Sequence, residues 1–400
     1  MHSSNEGNMP LAKQKAYLAR FTEPRDDYER SYFKYKCFFE YCYYKKKWLL
    51  PLYDLGAMIL YPFVFAMLKK RGQGKEKTDF MCDAVIQNGL RVPNVDVLPD
   101  EIKQTYKNAV EIREITYSSV YLTEPAIKIC RELRKRYFAS FYFRLIVTIK
   151  LAQFCKYLED YHPKAIVYYS CEREFSGPLQ TLLCESVGAK YISFMHGDYL
   201  YTLSFAFQRY SHYYTWDETY NEMFRKLKCT FPTTVYTPEK LKGIAKNIDE
   251  HECRFFATYY FSAESRTSAE KVHAAFLHFK DCGLSCKIRP HPRFSDLKML
   301  HEVFSDFYIE DTKEYSLADS ITDSLYTVGL CTTVLSQAYF SGKKVLIDDV
   351  SSVQEYEDLK DRGYIMMSRP HELLSEVVKA TSAETYDESY LFTKKQEQVL

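Results

Sequence analysis

The chain has 400 residues, of which 46% are hydrophobic and 27% charged, which is ordinary for a globular protein and long enough for two domains. Its net charge of +1 argues against bulk binding of nucleic acid, which needs a strongly basic surface. The twelve cysteines show neither a small disulfide framework nor a zinc spacing, so we expect reduced thiols in a cytosolic protein. The first thirty residues lack an apolar core, so no secretory signal peptide is expected.

The N-terminal region, residues 1–75, is predicted to lie outside the globular domains. We expect a solvated tail up to Arg30, then a mostly apolar stretch at 48–67 with basic residues on both sides. Three interpretations stay open for this stretch: a helix in the membrane interface, a buried helix, or a membrane span. The interface is favoured because proline and aspartate interrupt the stretch and both flanks are basic. We therefore expect residues 45–71 to contact a membrane surface and a linker to follow at 72–77.

The first predicted domain, residues 76–235, alternates buried-strand runs with helical patterns. Strands are predicted at 80–86, 164–169, 191–195 and 212–216, with helices at 125–160, 177–187 and 217–228. His196 and Asp198 follow the third of these strands, at the edge where open α/β sheets bind ligands. Glu172 and Glu174 follow the second strand. We expect them to be surface charges, with contact to an acceptor or a base as the alternative.

An interdomain linker is predicted at 236–251 and a second domain at 252–372. Strands are predicted at 254–261, 285–289, 307–310, 325–328 and 344–347, with helices at 268–282, 297–304, 315–322, 334–341 and after 352. Repeated strand-then-helix units with short loops predict a parallel, doubly wound sheet. The tail at 373–400 is predicted to be mostly helical and able to fold back onto the first domain.

Two elements of the second domain are suited to an anion. In Arg289-Pro-His291-Pro-Arg293 the prolines favour extended backbone, which places the three basic side chains on one face. Thr332 or Thr333 can cap a helix that ends before Gly342, and the start of a helix attracts phosphate. The sequence therefore predicts a site for the phosphate of a nucleotide-activated sugar.

Several nucleotide and catalytic motifs are absent from the sequence. There is no P-loop, no Gly-rich dinucleotide fingerprint after a strand, and no serine nucleophile elbow. The acidic pairs at 217–218 and 348–349 are typical of helix starts and strand ends. We therefore predict no metal site and no cofactor beyond the nucleotide donor, which is a substrate.

The resemblance of this chain to a known family rests on His196-Gly197-Asp198 at a strand end, on the segment 289–293, and on the segments 331–338 and 342–347. In this order, these segments resemble the GT-B glycosyltransferases of bacterial surface-polysaccharide synthesis. The sialyl- and polysialyltransferases and the CDP-glycerol glycerophosphotransferases are most similar, over about 164–367. The resemblance implies two Rossmann-like domains facing a cleft. It implies that His291 contacts the donor phosphate and that Thr332 and Thr333 hold the same phosphate. Gln337 stands where many such enzymes have a ribose-binding glutamate.

The resemblance also implies a general base at the strand end of the first domain. Sialyltransferases carry two acidic residues before a glycine, whereas this chain has His196 before Gly197 and Asp198 after it, as in the glycerophosphotransferases. A histidine suits the task because its ordinary pKa lies near neutral. Asp198 and Glu172 are the alternative bases.

The predicted function is metal-independent transfer of a sugar, with inversion, from a nucleotide donor to a surface polysaccharide or glycolipid. Sialic acid from CMP-sialic acid is one candidate donor. Transfer of a polyol phosphate from a CDP-linked donor and sugar-phosphate binding without turnover are the alternatives. We expect a cytoplasmic protein, peripheral on the inner face of the plasma membrane. The oligomeric state is not predicted.

Overall fold

The computed structural model describes residues 9–74, 80–87, 97–112, 119–169, 171–241 and 253–381. Two compact units make up the chain. Among the described residues, the first unit contains those from 9 to 196 and from 201 to 236, and the second contains 197–200 and those from 237 to 381. The predicted linker at 236–251 lies mostly outside the described residues, as do parts of the linker at 72–77 and of the tail at 373–400.

The first unit is built on a six-stranded sheet in which all neighbouring strands are parallel. Its strands are β1 (Ala84–Gln87), β2 (Ala109–Ile112), β3 (Ala165–Tyr168), β4 (Lys190–Phe194), β5 (His212–Thr215) and β6 (Thr233–Val235). The order β2-β1-β3-β4-β5-β6 reverses direction between β1 and β3, which makes the sheet doubly wound. The sequence did not predict β2 or β6, because both are short and only partly buried.

Eight helices of the first unit lie within the described residues. They are α1 (Leu11–Leu18), α2 (Asp27–Cys42), α3 (Leu49–Gln73), α4 (Asp100–Thr105), α5 (Glu124–Arg136), α6 (Phe141–Tyr161), α7 (Gly177–Ser186) and α8 (Glu218–Lys226). The single helical pattern predicted at 125–160 is two helices, because Tyr137 and Ser140 lie outside helical geometry between α5 and α6.

The expectation of a solvated N-terminal tail is wrong for the described residues from Met9 onwards. Leu11 and Leu18 of α1 and Tyr35 of α2 are buried. Lys34 is fully buried as well, and its Nζ donates to the carbonyl oxygens of Glu172, Ser204 and Ala206 at 2.7, 3.2 and 3.2 Å. Burial lowers the pKa of Lys34 to about 8, so the ammonium with its three donors still predominates at pH 7. Helix α2 is therefore part of the first unit.

Helix α3 is attached to the same unit along one side. Ala57 and Tyr61 pack with Leu145 of α6, and Asp54 Oδ1 accepts the Tyr142 backbone N–H at 2.8 Å. Gly72, predicted to begin a linker, lies instead in the last turn of α3, where a Cβ would lie 2.0 Å from the Leu122 carbonyl oxygen. Only glycine allows this close approach of two backbones.

The second unit contains a second parallel six-stranded sheet, with the order β12-β11-β10-β7-β8-β9. Its strands are β7 (Phe255–Tyr260), β8 (Cys286–Arg289), β9 (Tyr308–Ile309), β10 (Ser324–Gly329), β11 (Lys344–Ile347) and β12 (Glu372–Leu373). Its helices are α9 (Arg266–Asp281), α10 (Leu297–Val303), α11 (Leu317–Thr322), α12 (Thr333–Phe340), α13 (Val353–Asp361) and α14 (Leu374–Ala380). The predicted fold class, two doubly wound α/β domains after a helical N-terminal region, is confirmed.

The C-terminal tail differs from the prediction where it is described. Helix α14 packs on α9, and Leu374 and Val377 belong to the core of the second unit together with Phe276 and Phe279. Leu374 and Val377 of α14 thus pack within its own unit.

Replacing Lys34 by methionine should lower the free energy of unfolding by about 2–4 kcal/mol, because three buried carbonyl groups lose their donor. Chemical denaturation measures the change. Lys128→Met, at an exposed position of α5, is the matched control and should change stability by less than about 0.5 kcal/mol. Equal stabilities of the two variants would contradict the role of Lys34.

Candidate functional site

The carboxyl edge of the second sheet is shaped by the change of direction at its centre. Strands β7 and β10 are neighbours, but the chain leaves β7 toward β8 on one side and leaves β10 toward β11 on the other. This change of direction is the position at which open α/β sheets usually bind their ligands. The loop after β8 carries His291, and α12 follows β10. Because β7 lies between them, β8 and β10 are about 10 Å apart.

Arg289 does not belong to the predicted row of three cationic side chains. It ends β8, is buried, and its Nη1 lies 2.8 Å from Glu310 Oε2. Nη1 also donates to the Ser316 carbonyl oxygen at 3.3 Å, and Nη2 donates to the Tyr315 carbonyl oxygen at 3.0 Å. Lys287 Nζ, also fully buried, lies 2.5 Å from the other oxygen of Glu310. Arg289 is therefore an internal partner in an ion-pair cluster at the base of the loop, and not an exposed member of the predicted row of cations.

His291 is held in a defined state within this loop. Its backbone N–H donates to Ser295 Oγ at 2.8 Å, and Ser295 Oγ donates to the Ser262 carbonyl oxygen after β7 at 2.9 Å. The Arg293 backbone N–H donates to His291 Nδ1 at 3.1 Å. A backbone amide can only donate, so the ring proton of the neutral imidazole is on Nε2. Burial lowers the pKa of His291, and the positive charge of Arg293 lowers it further.

Helix α12 begins as the sequence predicts. Thr332 is its N-cap, and its side-chain oxygen accepts the Val334 backbone N–H at 3.3 Å. Thr333 is the first helical residue, whereas Gln337 is buried one turn later. The start of the helix therefore offers hydroxyl groups and the positive end of the helix dipole.

Asp198 contacts the start of α12. It belongs to the segment 197–200, which is part of the second unit. Its backbone N–H donates to Thr333 Oγ1 at 3.3 Å, and Ser336 Oγ donates to Asp198 Oδ2 at 2.7 Å. Ser336, buried on α12, was missed by the sequence analysis, although it follows Thr333 by three residues and therefore lies on the same helix face. The structure thus brings together Asp198, Thr333 and Ser336.

Glu264, in the loop after β7, is a second residue that the sequence analysis missed. Its carboxylate accepts the Ser262 backbone N–H at 2.5 Å. Burial, with a contribution from the charges of Asp348 and Glu355, raises the pKa of Glu264 to about 7. The only sequence signal for it is a polar residue directly after a predicted strand. At this edge it is a carboxyl group able to gain or lose a proton near neutral pH.

In the first unit, β4 ends at Phe194 and delivers His196 to the carboxyl edge, as predicted. His196 is half-buried, and its ring centroid lies 6.0 Å from that of Tyr169. The residue therefore stands where ligands of a parallel sheet gather.

Glu172 is not a surface charge. It is buried, and its Oε1 accepts the Tyr213 hydroxyl at 2.9 Å. Glu174 is partly buried, where it pairs with Lys150 at 2.6 Å and accepts the Tyr168 hydroxyl at 3.0 Å. Both carboxylates are thus bound within the first unit, and the expectation of solvated side chains is wrong for each.

The acidic pairs have structural partners. Asp217 caps α8 by accepting the Thr219 backbone N–H, and Asp348 accepts the Tyr259 hydroxyl and the backbone N–H groups of Val350 and Ser351. Asp349 accepts from Ser375. Within the residues that the structure describes, no group of three or more His, Cys, Asp or Glu side chains is arranged to hold a metal ion.

A second candidate site is the outer face of α3, which we call the α3 surface: Leu52, Leu55, Ile59, Phe63 and Met67. These positions fall within about a third of the helix circumference, opposite Ala57, Tyr61 and Leu68. Phe63 is 72% exposed and Ile59 is 59% exposed. The helix is long and apolar enough to cross a membrane. Only 11% of its most apolar 18-residue stretch is buried within the protein. The interpretation as a buried core helix is therefore wrong.

No protein-family model matches the chain, and no curated protein matches it. Among solved structures, it is similar to MurG of Acinetobacter baumannii (TM-score 0.43, 10% identity, 79% of this chain and 95% of that chain). It is also similar to the wall teichoic acid polymerase TagF (0.44, 9%, 86% and 90%) and to the calicheamicin glycosyltransferase CalG4 (0.42, 10%, 80% and 94%). At these identities the likeness concerns the fold alone.

Glu310→Gln should lower the free energy of unfolding by about 3 kcal/mol, because it leaves the buried charges of Lys287 and Arg289 without their shared partner. Thermal or chemical denaturation measures the loss. Glu314→Gln, at an exposed position nearby in sequence, is the control and should be close to neutral. If Glu310→Gln were as stable as its control, the ion-pair cluster would not be what fixes the loop.

Proposed function

We propose that the protein is a GT-B glycosyltransferase that uses a nucleotide-activated donor. The observation that supports this most is the pairing, on the two sides of β7, of the His291 loop with the start of α12. A distance of about 10 Å between the flanking strands suits the phosphate and sugar of one nucleotide donor. The His291 Nε2–H, the Arg293 side chain and the hydroxyls of Thr332 and Thr333 supply donors for a phosphate.

In the proposed reaction, His196 accepts the proton of the acceptor hydroxyl. The acceptor oxygen then forms a bond to the anomeric carbon while the bond from that carbon to the donor phosphate oxygen breaks. The electron pair of the broken bond stays on the departing nucleotide, and His291 with the start of α12 stabilises the charge. A single displacement inverts the anomeric carbon. Because these groups are cationic or dipolar, the reaction is proposed to need no metal ion.

Asp198 has a different proposed role from His196. Its carboxylate accepts from Ser336 Oγ at 2.7 Å, and its backbone N–H donates to Thr333 Oγ1, so both groups are bound to α12. We therefore assign it to positioning of the 197–200 segment on α12, and Glu172 to support of the loop after β3, since its carboxylate faces Tyr213. Gln337 is proposed to contact the donor ribose.

The donor has two proposed classes. The resemblance to sialyltransferases favours CMP-sialic acid, with a surface polysaccharide or glycolipid as acceptor. His196 before Gly197 favours instead a CDP-linked polyol phosphate. A sugar-phosphate binder without turnover is the non-enzymatic alternative, and it leaves the placement of His196 unexplained.

The proposed location is the cytoplasmic face of the plasma membrane. The α3 surface supports it, because five large apolar side chains on one exposed helix face suit the interface of a bilayer. Lys46 and Lys70, at the two ends of α3, are exposed and add attraction to anionic lipid, whereas Lys47 pairs with Glu40. A membrane span does not fit, since the opposite face of α3 packs on α6.

Purified protein incubated with a panel of nucleotide sugars and CDP-glycerol should release one nucleotide when an acceptor glycan is present, and EDTA should not change the rate. His291→Ala should weaken nucleotide binding about 10- to 100-fold, because a hydrogen bond to a charged phosphate is lost. His196→Ala should slow release about 10²- to 10⁴-fold with donor affinity nearly unchanged. His301→Ala, exposed on α10, is the control. Binding without release in any combination would favour the non-enzymatic alternative, and no binding at all would reject the proposal.

The α3 surface should bind vesicles of phosphatidylcholine and phosphatidylglycerol more strongly than vesicles of phosphatidylcholine alone. Phe63→Glu should weaken binding about 10- to 100-fold in a flotation assay, because one large apolar side chain no longer enters the interface. Val353→Glu, a 56% exposed apolar position of the second unit, should leave binding unchanged. Point variants are preferable to deletion of 1–70, which would remove the buried residues of α1 and α2. Equal binding of both variants would reject this surface.

A further inference from the structure

The proposed phosphate contact of His291 requires a particular state of its ring, and two neighbours define that state. The Arg293 backbone N–H occupies Nδ1, and the ring of Phe294 stacks on the imidazole with centroids 4.4 Å apart and planes inclined by 30°. Phe294 itself is 40% exposed, so its ring is not held there by burial in the core. The ring of Phe294 thus lies on the imidazole of His291 while remaining partly exposed to solvent.

We propose that Phe294 is a positioning residue for His291: with the Arg293 backbone N–H, it holds the imidazole as the neutral tautomer that donates from Nε2 to a donor phosphate. This inference rests on the proposed donor-binding function. It assigns a role to a side chain that neither the motif nor the ion-pair cluster below it explains.

The physical basis is restriction of the ring and exclusion of water. Stacking covers one face of the imidazole and limits rotation about its side-chain torsions, so less conformational entropy is lost when a phosphate binds. The covered face also removes water from the ring, which agrees with burial as the main cause of the lowered pKa of His291. The charge that adds to this shift is that of Arg293, on the same loop.

Protonation of His291 has a structural consequence. A proton on Nδ1 would face the Arg293 N–H, so the hydrogen bond that closes the loop would be lost. The neutral form is therefore the one compatible with the loop. Removing Phe294 admits water to the ring, favours the charged form and so weakens the closed loop.

The state of the ring can be measured without any substrate. Long-range ¹H–¹⁵N correlation spectra of histidine-labelled protein, assigned with His291→Gln, should show the Nε2–H tautomer in the wild type. In Phe294→Ala the pKa of His291 should rise toward the ordinary value for histidine, and Phe294→Tyr should restore the wild-type behaviour. Phe340→Ala, which removes a comparably exposed phenylalanine at the far end of α12, is the matched control and should leave the His291 signals unchanged. An Nδ1–H tautomer in the wild type, or an unshifted pKa in Phe294→Ala, would overturn the inference.

The effect on function is read from the binding of CMP and CDP by calorimetry across pH 5.5–8.5, values chosen to bracket the ordinary histidine pKa of about 6.5. At the alkaline end, where the ring is neutral in every variant, Phe294→Ala should bind about 2- to 10-fold more weakly because the ring is no longer held. The midpoint of its pH profile should move upward together with the His291 pKa, and Phe294→Tyr should recover both.

The two proposals fail in different ways. If CMP and CDP bind to the wild type but Phe294→Ala changes neither affinity nor midpoint, the positioning role is wrong while the donor-binding function stands. If neither nucleotide binds to the wild type, the donor-binding function is wrong and the role of Phe294 in it falls too, even where the spectra show the predicted tautomer.

Discussion

The reversal of strand order at the centre of the second sheet is the constraint on which the site depends. In a parallel sheet every strand ends at the same edge, so the loops after β7, β8 and β10 are neighbours although about seventy residues separate the first from the last. At the reversal the chain leaves β7 and β10 toward opposite sides of the sheet, and Asp198 contacts the start of α12. The relative position of these loops follows from topology, and their side chains decide what they can bind.

Buried charge gives this edge its rigidity. Glu310 is shared by Lys287 and Arg289, and Asp323 lies 3.2 Å from Lys287. Such a cluster adds little net stability compared with apolar side chains of similar size. Removing one of its charged groups, however, leaves another buried charge without a partner, so the cluster favours a single arrangement of the strand end. The loop that carries His291 starts from that fixed point and is tied again at Ser295. Two arginines four positions apart in the sequence thus have different environments: Arg289 is buried in the ion-pair cluster, whereas Arg293 is exposed.

The N-terminal helices show the same division within single elements. Helix α2 uses Lys34 to satisfy the carbonyl groups of two loops, and α3 places Ala57 and Tyr61 against α6 while its other face stays exposed. An apolar stretch of this kind has two separate uses, because a helix presents different residues to opposite sides. One side packs within the first unit, and the other is exposed.

The sequence by itself determined the class of both units and the site positions that follow strands. In the second domain, the strands and helices predicted from alternating patterns lie within about two residues of the observed elements. His196 follows β4 as predicted. Both predictions depend on hydrophobic periodicity, which can be read from a short stretch of sequence. Only the tertiary structure decided that Arg289 is an internal ion-pair partner, that Glu172 and Lys34 are buried, and that Asp198 meets Ser336. These outcomes depend on which distant segments supply a partner charge, a carbonyl group or a hydroxyl group. A local sequence pattern does not show which distant residue will be the partner.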